Sequence, residues 1–344
     1  MDIIRVLGIE TSCDETAAAI VENGREILAS KVASQIDLHS QYGGIFPEVA
    51  SRQHVISIHP IVDDTLSSAH VTISEVDAIA ITRGPGLPGS LVVGVNFAKG
   101  LSLGTGLPII GINHLEAHLY SAWLYDSLDV EEPPPEPKFP LLGLIVSGGH
   151  TELILMKEHL CYERLGGTLD DAAGEAFDKV GRLLGLPYPG GPAIQEAAKE
   201  SRDLYIHEFP RAWLEGTWDF SFSGLKTAVL QEVQNLKQQN RMIPVEDIAA
   251  RFQESVVDVL VTKTIRAAKE FEVEEIVVAG GVSANQLLRE TLLSQAKIPV
   301  HIPDIDLCTD NAAMIAGVGG FRFLAGYQDS LEMDVLPTWP LSEL

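Results

Sequence analysis

Two histidines four residues apart, His114 and His118 in Asn113-His114-Leu115-Glu116-Ala117-His118, and a distant Asp310 in Cys308-Thr309-Asp310-Asn311 are the residues here best suited to chemistry. Imidazoles at i and i+4 share one helix face, and one carboxylate from elsewhere would complete a three-ligand metal site with open positions. The spacing alone also admits an ordinary pair of core or surface histidines. It does not fit the metalloprotease motif H-E-x-x-H, because Leu115 follows the first histidine. Glu116, at about 100° per residue, points roughly opposite His114.

Such a pair needs a helix. Asn113 is a good N-cap, Glu116 stands where a capping box places its acid, and Leu-Tyr-Ser-Ala-Trp-Leu-Tyr continues the pattern to residue 125. Both histidines then lie in the first turns, where the helix-end potential opposes protonation and keeps the rings neutral and able to ligate.

With 344 residues, 46% hydrophobic and 21% charged, the chain is globular and long enough for two cored domains. Its sequence lacks a membrane-length apolar run and the long apolar core of a signal peptide, so a cytoplasmic protein is expected. Cys13, Cys161 and Cys308 are odd in number and far apart, which argues against a disulfide framework or a cysteine zinc cluster. The 24 basic and 48 acidic residues leave a formal charge of −24, unfavourable for unaided nucleic-acid binding. A polyanionic substrate would need a local basic patch or a partner protein.

Strand-like runs at Val6–Glu10, Ala78–Thr82, Ile109–Ile112, Leu141–Val146, Glu152–Met156 and Ile276–Ala279 alternate with helical patterns, as in α/β architecture, and a long helical stretch is expected over roughly 225–272. Residues 129–140, acidic and carrying five prolines, read as a connector. A shift of 135 residues lays Leu7, Gly8, Ile9, Ser12 and Thr16 on Leu142, Gly143, Leu144, Ser147 and Thr151. That weak repeat suggests a duplicated domain whose first hairpins face each other across a cleft.

Each copy carries a polar turn. Glu10 to Thr16 is one; Val146-Ser147-Gly148-Gly149-His150-Thr151 is the other. Gly148 and Gly149 would let backbone amides approach an anion, with Ser147 and Thr151 adding hydroxyls, and together the turns could grip a nucleotide phosphate. Singly, each also reads as an ordinary hairpin turn. Gly84-Pro85-Gly86-Leu87-Pro88-Gly89 has the form G-x-G-x-x-G, but its prolines remove two amide donors and no ribose-binding acid follows, which favours a tight strand-to-helix turn. Gly280 to Asn285 reads as a strand-turn-helix junction that either admits a flat base or caps the helix through Ser283 or Asn285.

In order, Gly8 to Thr16, His114 to His118, Val146 to Thr151, Asp170 to Lys179, Phe220 to Thr227, Gly280 to Asn285 and Cys308 to Asn311 resemble the successive signatures of the bacterial tRNA N6-adenosine threonylcarbamoyltransferases, the TsaD family, once mistaken for glycoproteases. The resemblance runs from about residue 5 to 341. It implies two duplicated RNase H-like α/β domains of the actin/Hsp70/sugar-kinase superfamily with a cleft between them. The boundaries would be 1–128, a connector over 129–140, 141–328 with a helical insertion, and a tail over 329–344.

The activity implied is metal-dependent transfer of threonylcarbamoyl from threonylcarbamoyl-AMP to the N6 amine of adenosine 37 in tRNAs reading ANN codons. Carried over by motif, His114, His118 and Asp310 hold the metal, Ile145, Val146, Ser147, Gly148 and Gly149 line the substrate site, Asp178, Gly191 and Asn285 contact the adenylate, and Asp14 matches a carboxylate important for activity. Two histidines and a carboxylate suit iron or zinc alike; the resemblance favours Fe²⁺. Family partners would be a non-catalytic TsaB-like paralogue and a small TsaE-like ATPase, which present the tRNA. Many members carry Asp where this chain has Gln195, which puts an adenylate contact there in doubt. The competing classes are an actin-like kinase or ATPase and a scaffold subunit, neither of which needs the histidine pair.

Overall fold

Gly8 and Gly143, which the 135-residue shift superposes, occupy equivalent places in two sheets of one design. The structure, a computed structural model, describes residues 3–42, 44–126, 130, 133–202 and 208–344. Residues 1–137, 159–162 and 303–344 form one unit, and residues 138–158 and 163–302 the other.

The first unit contains β1 (Arg5–Glu10), β2 (Glu15–Glu22), β3 (Glu26–Ser34), β4 (Ala78–Gly84), β5 (Ile109–Asn113) and β6 (Tyr125–Asp126), in the order β5-β4-β1-β2-β3-β6. Its helices are α1 (Ile36–Ser40), α2 (Pro47–Ser68), α3 (Pro88–Thr105) and α4 (His114–Tyr120). Leu7, Ile9, Ile20, Ile79, Ile81 and Val95 are buried together in its core. In the second sheet β7 (Leu141–Val146), β8 (Thr151–Glu158), β9 (Cys161–Gly167, its first two residues grouped with the first unit), β10 (Glu275–Ala279) and β11 (Val300–His301) take the order β11-β10-β7-β8-β9. The helices of the second unit are α5 (Ala173–Leu184), α6 (Gly190–Lys199), α7 (Ser223–Gln238), α8 (Val245–Glu270) and α9 (Gln286–Gln295).

Register carries the duplication further than strand order does. Gly8 pairs with Ala19 in the first antiparallel hairpin and Gly143 with Ile154 in the second, so each partner is displaced by the same 135 residues. Beside these, β4 runs parallel to β1 with Ala80 opposite Gly8, and β10 parallel to β7 with Val277 opposite Gly143.

Two expectations differ from what the chain does. The helical stretch over 225–272 breaks into α7 and α8, because Asn240 takes a left-handed φ of 52° and Pro244 precedes the new helix. Residues 303–328, read from sequence with the second domain, cluster with the first: they hold α10 (Ile305–Cys308) and α11 (Ala312–Leu324), and α11 packs on β1, β2 and β4. A Cβ on Gly8 would lie 2.3 Å from the Ala312 carbonyl oxygen, so small residues on strand and helix let the two backbones touch. Within the connector, residues 129, 131 and 132 lie outside the described residues, and 130 and 133–140 carry neither helix nor strand. Among the described residues no helix is long and apolar enough to cross a membrane.

Candidate metal centre and substrate loops

Asn113 ends β5 and caps α4, its Oδ1 accepting from the amides of Leu115 (2.9 Å) and Glu116 (3.3 Å). The helix is shorter than expected. It closes at Tyr120, a 3₁₀ turn spans Ser121–Trp123, and Tyr125 begins β6. At the other side of the site Asn311 caps α11 through Met314 N and donates its amide to the Thr309 carbonyl (2.8 Å), which fixes the backbone on both sides of Asp310.

These elements bring His114, His118 and Asp310 together, with one ligand atom from each within 4.8 Å of the others. Asp310 Oδ1 lies 3.3 Å from His114 Nε2 and 3.2 Å from His118 Nε2. Ligands bound at about 2.0–2.2 Å in tetrahedral or octahedral geometry stand about 3.0–3.5 Å apart, so each Asp310–histidine separation suits two ligands of one divalent cation. Among the described residues neither ring nitrogen of buried His118 has a well-directed hydrogen bond, which leaves Nε2, the nitrogen facing Asp310, open to ligate. His114 is oriented from behind, its Nδ1 3.0 Å from Glu10 Oε2 and 3.3 Å from Ser12 Oγ. That carboxylate places the ring proton on Nδ1 and leaves Nε2 to ligate. Glu10, fully buried, is held by the Thr82 hydroxyl (2.6 Å) and the Ser12 amide.

The two rings stand in different electrostatic surroundings. Burial opposes charge on His114, but Asp310 and Glu10 outweigh it and raise its pKa well above the usual value. Burial, with help from His114, lowers that of His118. At His114 two carboxylates thus act against the helix-end potential expected to favour a neutral ring. Asp310 moves below the carboxylate range, because the two imidazoles outweigh its burial. A cation would displace the His114 proton, as ligation requires.

Glu116 corrects a second expectation, since it does not cap α4. Fully buried, it accepts two bonds from Arg322 of α11 (Nε to Oε2 and Nη2 to Oε1, both 3.0 Å) and one from the Tyr162 hydroxyl (2.7 Å). The helix is thus gripped through a carboxylate on the side away from its histidines. Glu10, Tyr162 and Arg322 received no role from sequence; the one available signal was an acid closing the apolar run of β1.

Asp14 lies half-buried in the β1–β2 turn, and burial, then the charge of Asp310, raises its pKa. The G-x-G-x-x-G segment spends its amides inside the protein, Leu87 N on the Ser12 carbonyl (2.8 Å) and Gly86 N on that of Pro337 (3.2 Å), which agrees with a structural turn.

In the second unit Ser147 to His150 forms a closed turn, Ser147 N donating to the His150 carbonyl (2.8 Å). Gly148 and Gly149 are exposed with open space around them. Gly174 and Gly280 allow close approach behind the turn: a Cβ on Gly174 would lie 2.6 Å from the Ser147 carbonyl, and one on Gly280, at φ +90°, 2.5 Å from that of Val146. Ile145 and Val146 are fully buried at the end of central strand β7, where they pair with Glu152 and Thr151 of β8 and support the Ser147 turn from behind. Asp178 accepts from Gly190 N (2.7 Å) and so ties α5 to the start of α6, while Gly191 faces open space. Asn285 caps α9 through Leu288 N (3.0 Å) and gives one N–H to Gln253 (2.8 Å), and Gln195 accepts from Gln286 N (2.7 Å). Asp170 accepts from the amides of Phe222 and Ser223 at the start of α7, and Asp171 pairs with Lys179 and Lys226.

The family model described as TsaD, tRNA N6-adenosine threonylcarbamoyltransferase, matches residues 26–317. A protein of that name from Dehalococcoides mccartyi is 54% identical over 97% of this chain and 98% of its own length. That from Bacillus subtilis is 51% identical over 96% and 94%. Among solved structures, component A of the (R)-2-hydroxyglutaryl-CoA dehydratase of Acidaminococcus fermentans aligns at TM-score 0.54 and 17% identity, covering 94% of this chain and 99% of that one. HypF of T. kodakarensis aligns at TM-score 0.59 and 14% identity over 94% of this chain and 48% of its own. These likenesses, with the repeated strand order, give the fold: two RNase H-like units of the actin/Hsp70/sugar-kinase type.

Proposed function

Because the chain belongs to the TsaD family, the tRNA N6-adenosine threonylcarbamoyltransferases, we propose that it moves the threonylcarbamoyl group of threonylcarbamoyl-AMP to N6 of adenosine 37 in tRNAs reading ANN codons. The observation that supports a metal-dependent mechanism is the convergence of His114 Nε2, His118 Nε2 and Asp310 Oδ1 at ion-pair distances. These residues would hold one divalent cation, Fe²⁺ in preference to Zn²⁺. When bound it would polarise the carbonyl of the transferred group and hold it in place.

The remaining work falls to the chain. An adenine amine is a weak nucleophile, so orientation matters; Gly191, Asp178 and the second N–H of Asn285 position the adenylate, and Ile145 and Val146 back the turn that lines it. N6 attacks the carbamoyl carbon, the bond from that carbon to the phosphate oxygen breaks, and AMP leaves with the electron pair. Ser147 and the open amides of Gly148 and Gly149 stabilise the phosphate as it departs. Asp14, its pKa raised toward the working range, takes the N6 proton. A TsaB-like paralogue and a TsaE-like ATPase present the tRNA in the cytoplasm, in keeping with a catalytic chain of charge −24.

The test uses donor labelled in its threonine, with tRNA and both partners. Chelation should abolish label in tRNA, and Fe²⁺ should restore it more fully than Zn²⁺. Transfer unchanged by chelation would contradict the metal. Magnesium-dependent ATP hydrolysis by the isolated chain, undiminished in His118→Ala, would favour a kinase-like enzyme.

A further inference from the structure

A groove of about 740 Å³ lies in the second unit between the loop Trp213–Trp218 and the last turns of α8. That volume falls within the range of about 300–1,000 Å³ typical of ligand sites. The loop is built into position. Leu214 takes a left-handed φ of 45°, rare for a bulky residue, and Gly216 one of 79°. The Thr217 amide and hydroxyl both donate to the Leu214 carbonyl (3.2 and 3.0 Å). Lys263 of α8, buried, donates to the carbonyls of Thr217 and Asp219 from beneath. The Asp219 carboxylate accepts from Gly167 N of β9 (3.0 Å), and Trp218 packs 6.1 Å from the Phe271 ring.

This scaffold leaves the Trp213 side chain 37% exposed on one wall of the groove. On the other wall, Arg266 and Lys269 follow Lys263 at three-residue steps along α8; both are exposed, and among the described residues neither has a hydrogen bond or ion-pair partner. Glu215 and Glu270 also line the groove, so its three cations, one of them the buried Lys263, stand against two carboxylates, a formal excess of one positive charge on a chain of −24.

We propose that this groove binds a base-exposed, single-stranded segment of the tRNA, one base stacking on Trp213 and its flanking phosphates lying against Arg266 and Lys269. The inference rests on the reading of the chain as a tRNA-modifying enzyme. Indole faces stack any base, and guanidinium and ammonium groups neutralise phosphate, which is how single-stranded nucleic acid is commonly held. Wild-type binding by the chain alone is weak and salt-sensitive, since two free cations make few phosphate contacts.

The test is fluorescence anisotropy of labelled tRNA with the full chain at low salt, comparing Trp213→Ala, the double variant Arg266→Gln/Lys269→Gln, and Lys297→Gln as an exposed control outside the groove, each checked for folding by circular dichroism. Trp213→Ala should weaken binding by about five- to tenfold or more. The double variant should weaken it at least tenfold and flatten the log–log salt slope by about 1.5, while Lys297→Gln changes it less than twofold. Groove variants that bind like the control, or a wild-type chain with no detectable tRNA binding at low salt, overturn the inference. So does loss of AMP binding with unchanged tRNA binding, which would assign the groove to a free nucleotide. Transfer is read in the same wild-type preparation with its partners. Product without a groove effect ends this inference alone; a groove effect without product ends the transferase reading and leaves an RNA-binding surface.

Discussion

Replacing Arg322 by Met leaves the Glu116 carboxylate, 0% exposed, with only the Tyr162 hydroxyl among the described residues to satisfy it. Two 3.0 Å bonds from a guanidinium that is itself 8% exposed are lost at once. Removing one partner of such a buried pair costs about 3–5 kcal/mol, a large share of the roughly 5–15 kcal/mol that holds a domain together. The double variant Glu116→Gln/Arg322→Met carries no stranded charge and should recover all but about 1–2 kcal/mol. The effect has a defined pH dependence. Burial already raises the pKa of Glu116 against the pull of Arg322, and without that cation it rises further. A carboxyl with a raised folded-state pKa stabilises the fold while protonated, and that contribution is lost as pH climbs through the folded value. The deficit of Arg322→Met relative to wild type should therefore be small near pH 5 and largest near pH 8. Urea unfolding followed by circular dichroism at the two pH values measures it, and competition for Zn²⁺ with a chromophoric chelator reads the consequence for α4, where affinity should fall about tenfold. An Arg322→Met protein within about 1 kcal/mol of wild type at pH 8, or a double variant no more stable than the single, would refute the reasoning.

Gly8→Ala should cost about 1–3 kcal/mol in the same unfolding assay, since its Cβ would sit 2.3 Å from the Ala312 carbonyl and push α11 off β1. Gly280→Ala strains a φ of 90° and presses on Val146 behind the Ser147 turn; the KM for the adenylate donor should rise about tenfold, or about 1.4 kcal/mol, with a smaller change in kcat, in steady-state transfer assays. Glu15, pushed up to about 7 by burial, has a buried oxygen without a partner among the described residues. Wild type should lose stability relative to Glu15→Gln as pH rises from about 5 through 7, the reverse of the usual carboxylate, in unfolding measured across that range.

Much of this was legible in the sequence because it depends on local pattern. Apolar runs placed β1, β4, β5, β7, β8 and β10, and the Leu7-Gly8-Ile9 match to Leu142-Gly143-Leu144 foretold a repeated register as well as a repeated strand. The histidine pair and Asp310 were legible as residue types, but their meeting depends on α11 returning to the first sheet, a long-range event that Ala312 to Gly320 signal only as a run of small residues. Glu116 was misread as a cap because capping and ion pairing ask for the same residue, and its partner Arg322 lies 206 residues away. The electrostatics of His114 were hidden for a similar reason: helix position is local, while Glu10 and Asp310 arrive through the fold.

The central claim is that this chain builds threonylcarbamoyladenosine at a metal held by His114, His118 and Asp310. Its most direct test is mass spectrometry of nucleosides from tRNA incubated with threonylcarbamoyl-AMP, the two partners, and either wild-type protein or folded His118→Ala. The account predicts the modified nucleoside from wild type and at least a hundredfold less from His118→Ala, on the order of the loss expected when a catalytic metal is no longer held. Equal product from both would remove the metal from the mechanism, and none from wild type beside an active control enzyme would contradict the assignment itself.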